Sequence, residues 1–363
     1  MRVLVTGGAG FIGRHLSRAL LAEGYEVRIL DPFIAQVHGH AIPSDPVLRS
    51  VEVVRGDIRN AELVSAALRD VDKVVHLAAE VGVGQSMYEL ERYVGVNDLG
   101  TAVLLRGLLT NPVQRLVVAS SMSVYGEGLY QTADGRLIEN ATRPRSGWDP
   151  QDEHGNRLQP VPTPEWKRPA LCSVYAITKH TQEQLCMIVG AAYGMESVAL
   201  RMFNVFGPGQ ALSNPYTGVL AIFAARLLNG QRPIIFEDGR QQRDFVHVED
   251  VARAFVLALE KPAAAGKVFN IGSGHRTSVE EVALLLAQHM GRADLSPEFL
   301  HKTRAGDIRH CFADIGRARD VLGFSPRTLA DGLPELAAWL ARQHAEDRVA
   351  EARGHLEARG LVA

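Results

Sequence analysis

Cysteine is scarce in this 363-residue chain: Cys172, Cys186 and Cys311 stand far apart and form no Cys-x-x-Cys pair. That spacing supports neither a disulfide framework nor a zinc site, and we expect no metal. Charge of one sign is not in excess, with 39 Lys and Arg against 41 Asp and Glu. No basic field is therefore available to hold nucleic acid or an anionic membrane. Long apolar runs are missing too, none approaching the roughly 20 residues that cross a bilayer. The opening MRVLVTGGAG has no signal-peptide core or cleavage site, so the expected location is the cytoplasm. Repeats and low-complexity tracts are absent as well.

What is present is a rhythm. RVLVTG, EVRILD, VEVVRGD, KVVHLAA and RLVVASS are short β-branched runs, separated by the helical patterns FIGRHLSRALLAEG, NAELVSAALRD and a long stretch from Ser86 to Leu109. Strands alternating with helices pair in parallel through right-handed crossovers. The expected fold class is α/β, a Rossmann-type doubly wound parallel sheet with a smaller C-terminal α/β substrate lobe. Residues 127–168 break the rhythm and read as an irregular insertion. We expect residues 1–204 to form the cofactor domain, with 240–262 returning to it. Residues 205–345 are expected to form most of the lobe, and 346–363 a charged, solvated helical tail.

In VLVTGGAGFIG the glycines Gly7, Gly10 and Gly13 fall between the first strand and the first helix. Glycine permits the tight turn and close approach of backbone to a pyrophosphate, which the helix N-terminus then attracts. The order strand, turn, helix is the context a dinucleotide fingerprint requires. Asp31 ends the second strand, where a carboxylate would accept from ribose hydroxyls and repel a 2′-phosphate; NAD is preferred over NADP. Asp57, in GDIRN, is placed to meet the adenine amino group, and His76 reads as a packed core histidine. Tyr175 and Lys179 in YAITK are four apart, hence on one helix face. A phenol of pKa about 10 needs roughly 4 kcal/mol to become a base at neutral pH, which an ammonium and a positive nicotinamide ring would supply.

At these motifs the chain resembles the extended short-chain dehydrogenase/reductase family, among its nucleotide-sugar epimerases and dehydratases. The resemblance spans almost the whole length through TGGAGFIG, GDIRN, HLAA, VNDLGT, SSMSVYG, YAITK, RMFNVFGPGQ, GRQQRDFVHVEDVARA and RAGDIRHCFAD. It implies Ser121, Tyr175 and Lys179 as catalytic residues, with Tyr175 the acid/base. It implies a cofactor site of Gly7, Gly10, Phe11, Ile12, Gly13, Asp31, Asp57, Ile58, Leu77, Ala78, Ala79 and Asn97, completed by Tyr175 and Lys179. For the substrate it implies Ser121, Met122, Ser123, Tyr175 and Asn204, with Arg243 and Arg304 on the phosphates. A homodimer through the helices near 86–109 and 173–192 is implied as well.

Related 4,6-dehydratases carry an Asp-Glu pair after the Ser/Thr position, because eliminating water takes one proton and gives another. Here those slots hold Met122 and Ser123. What remains is one hydride and one proton, which is C4 epimerisation through a 4-keto intermediate. The alternatives are a 4-ketoreductase using the same residues, or a non-catalytic NAD-binding regulator. The loops HLAAEVGVGQSMYE, SSMSVYGEG and GQALSNPYTGV are more similar to dTDP-L-rhamnose 4-epimerases than to the UDP-galactose enzymes, with a related dTDP- or UDP-hexose such as UDP-glucose or UDP-galactose as the other expected substrates. Some of those relatives carry cysteine pairs before the Tyr-x-x-x-Lys helix, and this chain has none between 127 and 171.

Overall fold

The computed structural model describes residues 1–39, 45–144, 147–216 and 218–362. Thr217 of the GQALSNPYTGV loop, Arg145 and Ser146 of the 127–168 segment, and the final Ala363 lie outside the described residues.

Seven strands form one fully parallel sheet: β1 (Arg2–Thr6), β2 (Glu26–Asp31), β3 (Glu52–Arg55), β4 (Lys73–His76), β5 (Arg115–Ser121), β6 (Glu196–Met202) and β7 (Val268–Ile271). Their order is β7-β6-β5-β4-β1-β2-β3. Alternation along β1 sends Val3 and Val5 to one face and Leu4 to the other. On the first face they meet helix α1 (Phe11–Ala22) and helix α6 (Val248–Glu260), through Leu16, Leu20, Val251 and Phe255. On the second face Leu4 joins Val64 of α2 (Ala61–Ala67), Leu104 and Leu108 of α3 (Gly100–Thr110), and Cys186 of α4 (Val174–Tyr193). Both faces are covered, as a parallel sheet demands. The expected doubly wound fold is what the structure shows. The strand that returns to the sheet is β7, beyond the segment 240–262, while α6 within that segment packs on α1.

A separate core underlies the C-terminal lobe, where α5 (Val219–Leu228), α7 (Val279–His289) and α8 (Leu329–Leu340) bury Phe223, Leu286 and Leu333. Two segments depart from expectation. The insertion is not irregular: residues Leu129–Gln131 pair antiparallel with Leu137–Ile138 and with Gln159–Val161. These strands are only two or three residues long, too short for a period of two to show. The tail helix is solvated on one side only. Helix α9 (Val349–Glu357) buries Ala352 and Leu356, four residues apart on one face, against the body.

Candidate active site

The C-terminal ends of the strands carry the candidate residues, at the edge where ligands of open α/β sheets bind. Ser121 ends β5, and its Oγ accepts from Ser123 N at 3.1 Å and from the Ser123 hydroxyl at 3.0 Å. Tyr175 and Lys179 sit one turn apart on α4, whose start is capped by Ser173 Oγ accepting from Ala176 N at 3.1 Å. The Tyr175 amide donates to Ser86 Oγ at 3.0 Å, which ties the short helical turn Val83–Ser86 to α4. The Tyr93 ring meets Tyr175 edge-on with centroids 6.4 Å apart, and the Tyr93 hydroxyl donates to Val81 O at 2.8 Å. Sequence reading missed Tyr93, since one aromatic on a helical run reads as core.

Burial pushes the Tyr175 phenol up, and a hydrogen bond with Ser121 pulls it back. Lys179 is 3% exposed. Burial lowers its ammonium to about 8, opposed by Cys186, Glu183 and Asp98. Its Nζ donates not toward the phenol but to Gln182 Oε1 at 2.6 Å. Gln182 Nε2 in turn donates to Thr101 Oγ1 at 2.9 Å and to Ala78 O at 3.3 Å. The expected lowering of Tyr175 by Lys179 is thus not supplied by the chain's own groups. Gln182 was missed although its i+3 spacing from Lys179 was visible. His76 is structural: Nδ1 lies 2.7 Å from Thr6 Oγ1 and Nε2 2.9 Å from Thr101 Oγ1, and burial drops its pKa to about 3.

The glycine turn fits a dinucleotide. Gly7 has φ +69°, and a Cβ there would lie 2.8 Å from Ala78 N; one on Gly13 would lie 2.5 Å from Gly8. The turn is thereby pressed against Leu77 and Ala78. Helix α1 starts at Phe11 and Ile12 without a side-chain cap, leaving its first N–H groups for an anion. A cavity of about 190 Å³ lies there, lined by Gly10, Phe11, Arg14 and His38. Asp31, 3% exposed, accepts from Ala9 N at 3.0 Å and Phe33 N at 2.8 Å, with His38 Nε2 3.3 Å away. Asp57 is engaged by Arg59 at 2.6 Å, which holds its carboxyl below the usual range. Ile58 is buried and would meet a Cβ on Gly100 at 2.5 Å. Asn97, fully buried, accepts from Glu80 N at 2.7 Å and donates to Glu80 O and Thr178 Oγ1 at 3.1 and 2.9 Å. Its amide clamps the loop after β4 to α4.

A larger cavity of about 480 Å³ opens beside Tyr175. Ser121, Met122, Ser123, Asn204, Arg243 and Arg304 all line it. Asn204 Nδ2 donates to Asp244 O at 3.0 Å. Arg243 donates to the carbonyls of Gln242, Arg309 and Ile308 at 2.9, 2.9 and 2.6 Å. Arg304 lies 4.5 Å over the Phe236 ring and pairs with Asp307 at 2.8 Å. Asp307 is the one carboxylate among the described lining residues, and Arg304 takes both its oxygens. Exposed Cys172 lines the same cavity, whereas Cys186 and Cys311 are buried.

A glycine turn, an acid-tipped second strand and a Ser-Tyr-Lys trio on this sheet define a nicotinamide-dependent enzyme of the extended short-chain dehydrogenase/reductase type. The chain belongs to the NAD dependent epimerase/dehydratase family, which it matches over residues 3–272. It is 36% identical over 358 residues to a dTDP-L-rhamnose 4-epimerase of Burkholderia thailandensis, covering 94% of this chain and 95% of that protein. The structure of the UDP-glucose 4-epimerase of Thermotoga maritima with UDP-glucose superposes with a TM-score of 0.77 at 31% identity, covering 94% of this chain and 99% of that one. The UDP-glucuronic acid 4-epimerase of Bacillus cereus, solved with UDP-glucuronic acid and NAD, gives 0.75 at 30%, with the same coverage.

Proposed function

We propose that the protein is a nucleotide-sugar C4 epimerase, acting on dTDP-L-rhamnose or a related dTDP- or UDP-hexose. The observation that carries this reading is chemical economy in the cavity. Ser121 and Tyr175 line it, Lys179 lies one turn behind, and the one carboxylate among the described lining residues is already neutralised by Arg304. Dehydration needs a second free acid/base, and epimerisation does not.

The dinucleotide, when bound, supplies a reversible hydride acceptor and a positive ring charge. Gly7, Gly10, Gly13 and Asp31 would hold it, with Asp57, Ile58 and the Leu77–Ala79 backbone flanking it. Tyr175 Oη takes the proton of the sugar 4-hydroxyl and later returns it. Ser121 Oγ orients that hydroxyl, and Lys179 keeps a positive charge one turn below the phenol. Epimerisation also requires the keto sugar to turn between oxidation and reduction. Gly82, Gly84, Met87 and Met122 on the wall offer few polar groups to stop it, and they suit a methyl at C6. Arg243 and Arg304 face the diphosphate. Apolar side chains exposed on the helical run 90–110 (Leu90, Val94, Leu99) and on α4 (Ile177, Ile188, Tyr193) support a homodimer through these helices.

The test is to incubate purified protein with dTDP-L-rhamnose, UDP-glucose or UDP-galactose, without added cofactor, and to separate the products. Appearance of the C4 epimer is expected. Turnover only of a 4-keto sugar, with net consumption of added NADH, would replace this reading by the ketoreductase.

A further inference from the structure

Helix α9 and the residues after it roof the larger cavity. Val349, Ala352, Arg353, Leu356 and Leu361 all line it. The segment is tied down on several sides. Asp347 pairs with Arg226 at 2.9 Å, and Glu346 N donates to Ser213 Oγ at 3.0 Å. His355 Nδ1 lies 3.3 Å from the Tyr216 hydroxyl, and Arg359 stacks 4.4 Å over Tyr88. At the far end Ala305 N donates to Leu361 O at 2.9 Å, and Val362 bridges to Arg304 itself. The strand turn that presents Arg304 is therefore continuous with the tail.

Three guanidiniums face this cavity, and they differ in how far their donors are committed. Arg243 gives three hydrogen bonds to main-chain carbonyls, and Arg304 gives two to Asp307. The Nε of Arg353 is buried and makes no hydrogen bond. Its charge partner, Glu357, lies 3.6 Å from that nitrogen. A buried guanidinium donor without an acceptor is costly unless a ligand completes it. A phosphate, with several acceptor oxygens and negative charge, matches the planar fork best. The Arg353 side chain as a whole is 37% exposed, and the i,i+4 pair with Glu357 leaves its terminal nitrogens free to meet a ligand in the cavity it lines.

We propose that Arg353 is a substrate-binding residue whose guanidinium meets a phosphate of the nucleoside diphosphate moiety. The terminal helix then belongs to the site and is more than an appendage. The inference rests on the nucleotide-sugar reading above. Apolar Leu356, within reach of Gly84, closes the roof beside it, since a Cβ on Gly84 would lie 3.5 Å from the leucine.

The experiment compares the full-length wild type with Arg353→Leu and Arg353→Lys, titrating UDP and dTDP calorimetrically and measuring steady-state kinetics. Arg353→Leu should weaken nucleoside diphosphate binding about tenfold or more, the loss of one charged hydrogen-bond donor. KM should rise accordingly, while kcat and bound dinucleotide stay near wild type. Arg353→Lys should recover part of the affinity. If wild type binds the nucleotides and Arg353→Leu binds them equally well, the assignment of Arg353 falls alone. If wild type binds neither UDP nor dTDP, the nucleotide-sugar reading falls and takes this one with it.

Discussion

Lys179 gives its hydrogen bond to Gln182, and this partner bears on the charge the lysine carries. An oxygen at 2.6 Å favours the charged ammonium over the neutral amine, against a burial that favours the reverse. Replacing Gln182 with Leu removes that support, so the ammonium should lose its proton at still lower pH than about 8. The alkaline limb of a kcat/KM profile should then move acidward in Gln182→Leu; an unmoved limb would show that Gln182 does not set the lysine's charge. Stability follows the same proton. Between about 8 and the ordinary 10.5 the unfolded chain holds the Lys179 proton and the folded one does not, so this residue's burial penalty fades as pH rises through that window. Below about 8 the penalty is present in full.

Among the elements, the insertion and the lobe are joined by main-chain hydrogen bonds, such as Gly128 N to His310 O at 2.7 Å and Thr163 N to Phe312 O at 2.8 Å, and by a buried charge network. Arg309, with no exposed side-chain surface, reaches Asp149 of the insertion at 2.8 Å and Asp238 and Glu237 of the lobe at 2.6 and 3.0 Å. Arg143 pairs with Glu237 and, at 3.1 Å, with Glu127. Removing one partner of a buried network leaves charges uncompensated. Arg309→Met should therefore cost about 3–5 kcal/mol in urea unfolding; a loss below about 1 kcal/mol would mean the network only rearranges. None of this was legible beforehand, because the partners lie far apart in sequence. Strands β1 to β5 of the large sheet were legible as β-branched runs ending at turns, whereas β7 was not, because it lies beyond the segment expected to return. The glycine turn could be read from its place between a strand and a helix and the Tyr175–Lys179 pair from its spacing, while Ser121 came only through the family resemblance. The tail was misread because two apolar positions, Ala352 and Leu356, are drowned by charged neighbours when the surface they cover is unseen.

For the whole molecule the open question is assembly. Leu99, just before α3, is 54% exposed, and Ile188, on the helix that carries Tyr175, is 63% exposed. Apolar area of this kind on adjacent helices is what a partner copy covers. Light scattering should give twice the chain mass for wild type and the chain mass for Leu99→Glu combined with Ile188→Glu. A wild-type monomer would remove the dimer from the proposal. Because both positions are exposed, the double variant should keep its unfolding midpoint at low protein concentration.

The fold also sorts its thiols. With Cys186 and Cys311 sealed inside and Cys172 open at the cavity, the molecule comes with a ready attachment point for a fluorescent maleimide. A dye placed there, with no engineered residue, would stand at the doorway of the larger cavity and report when it fills.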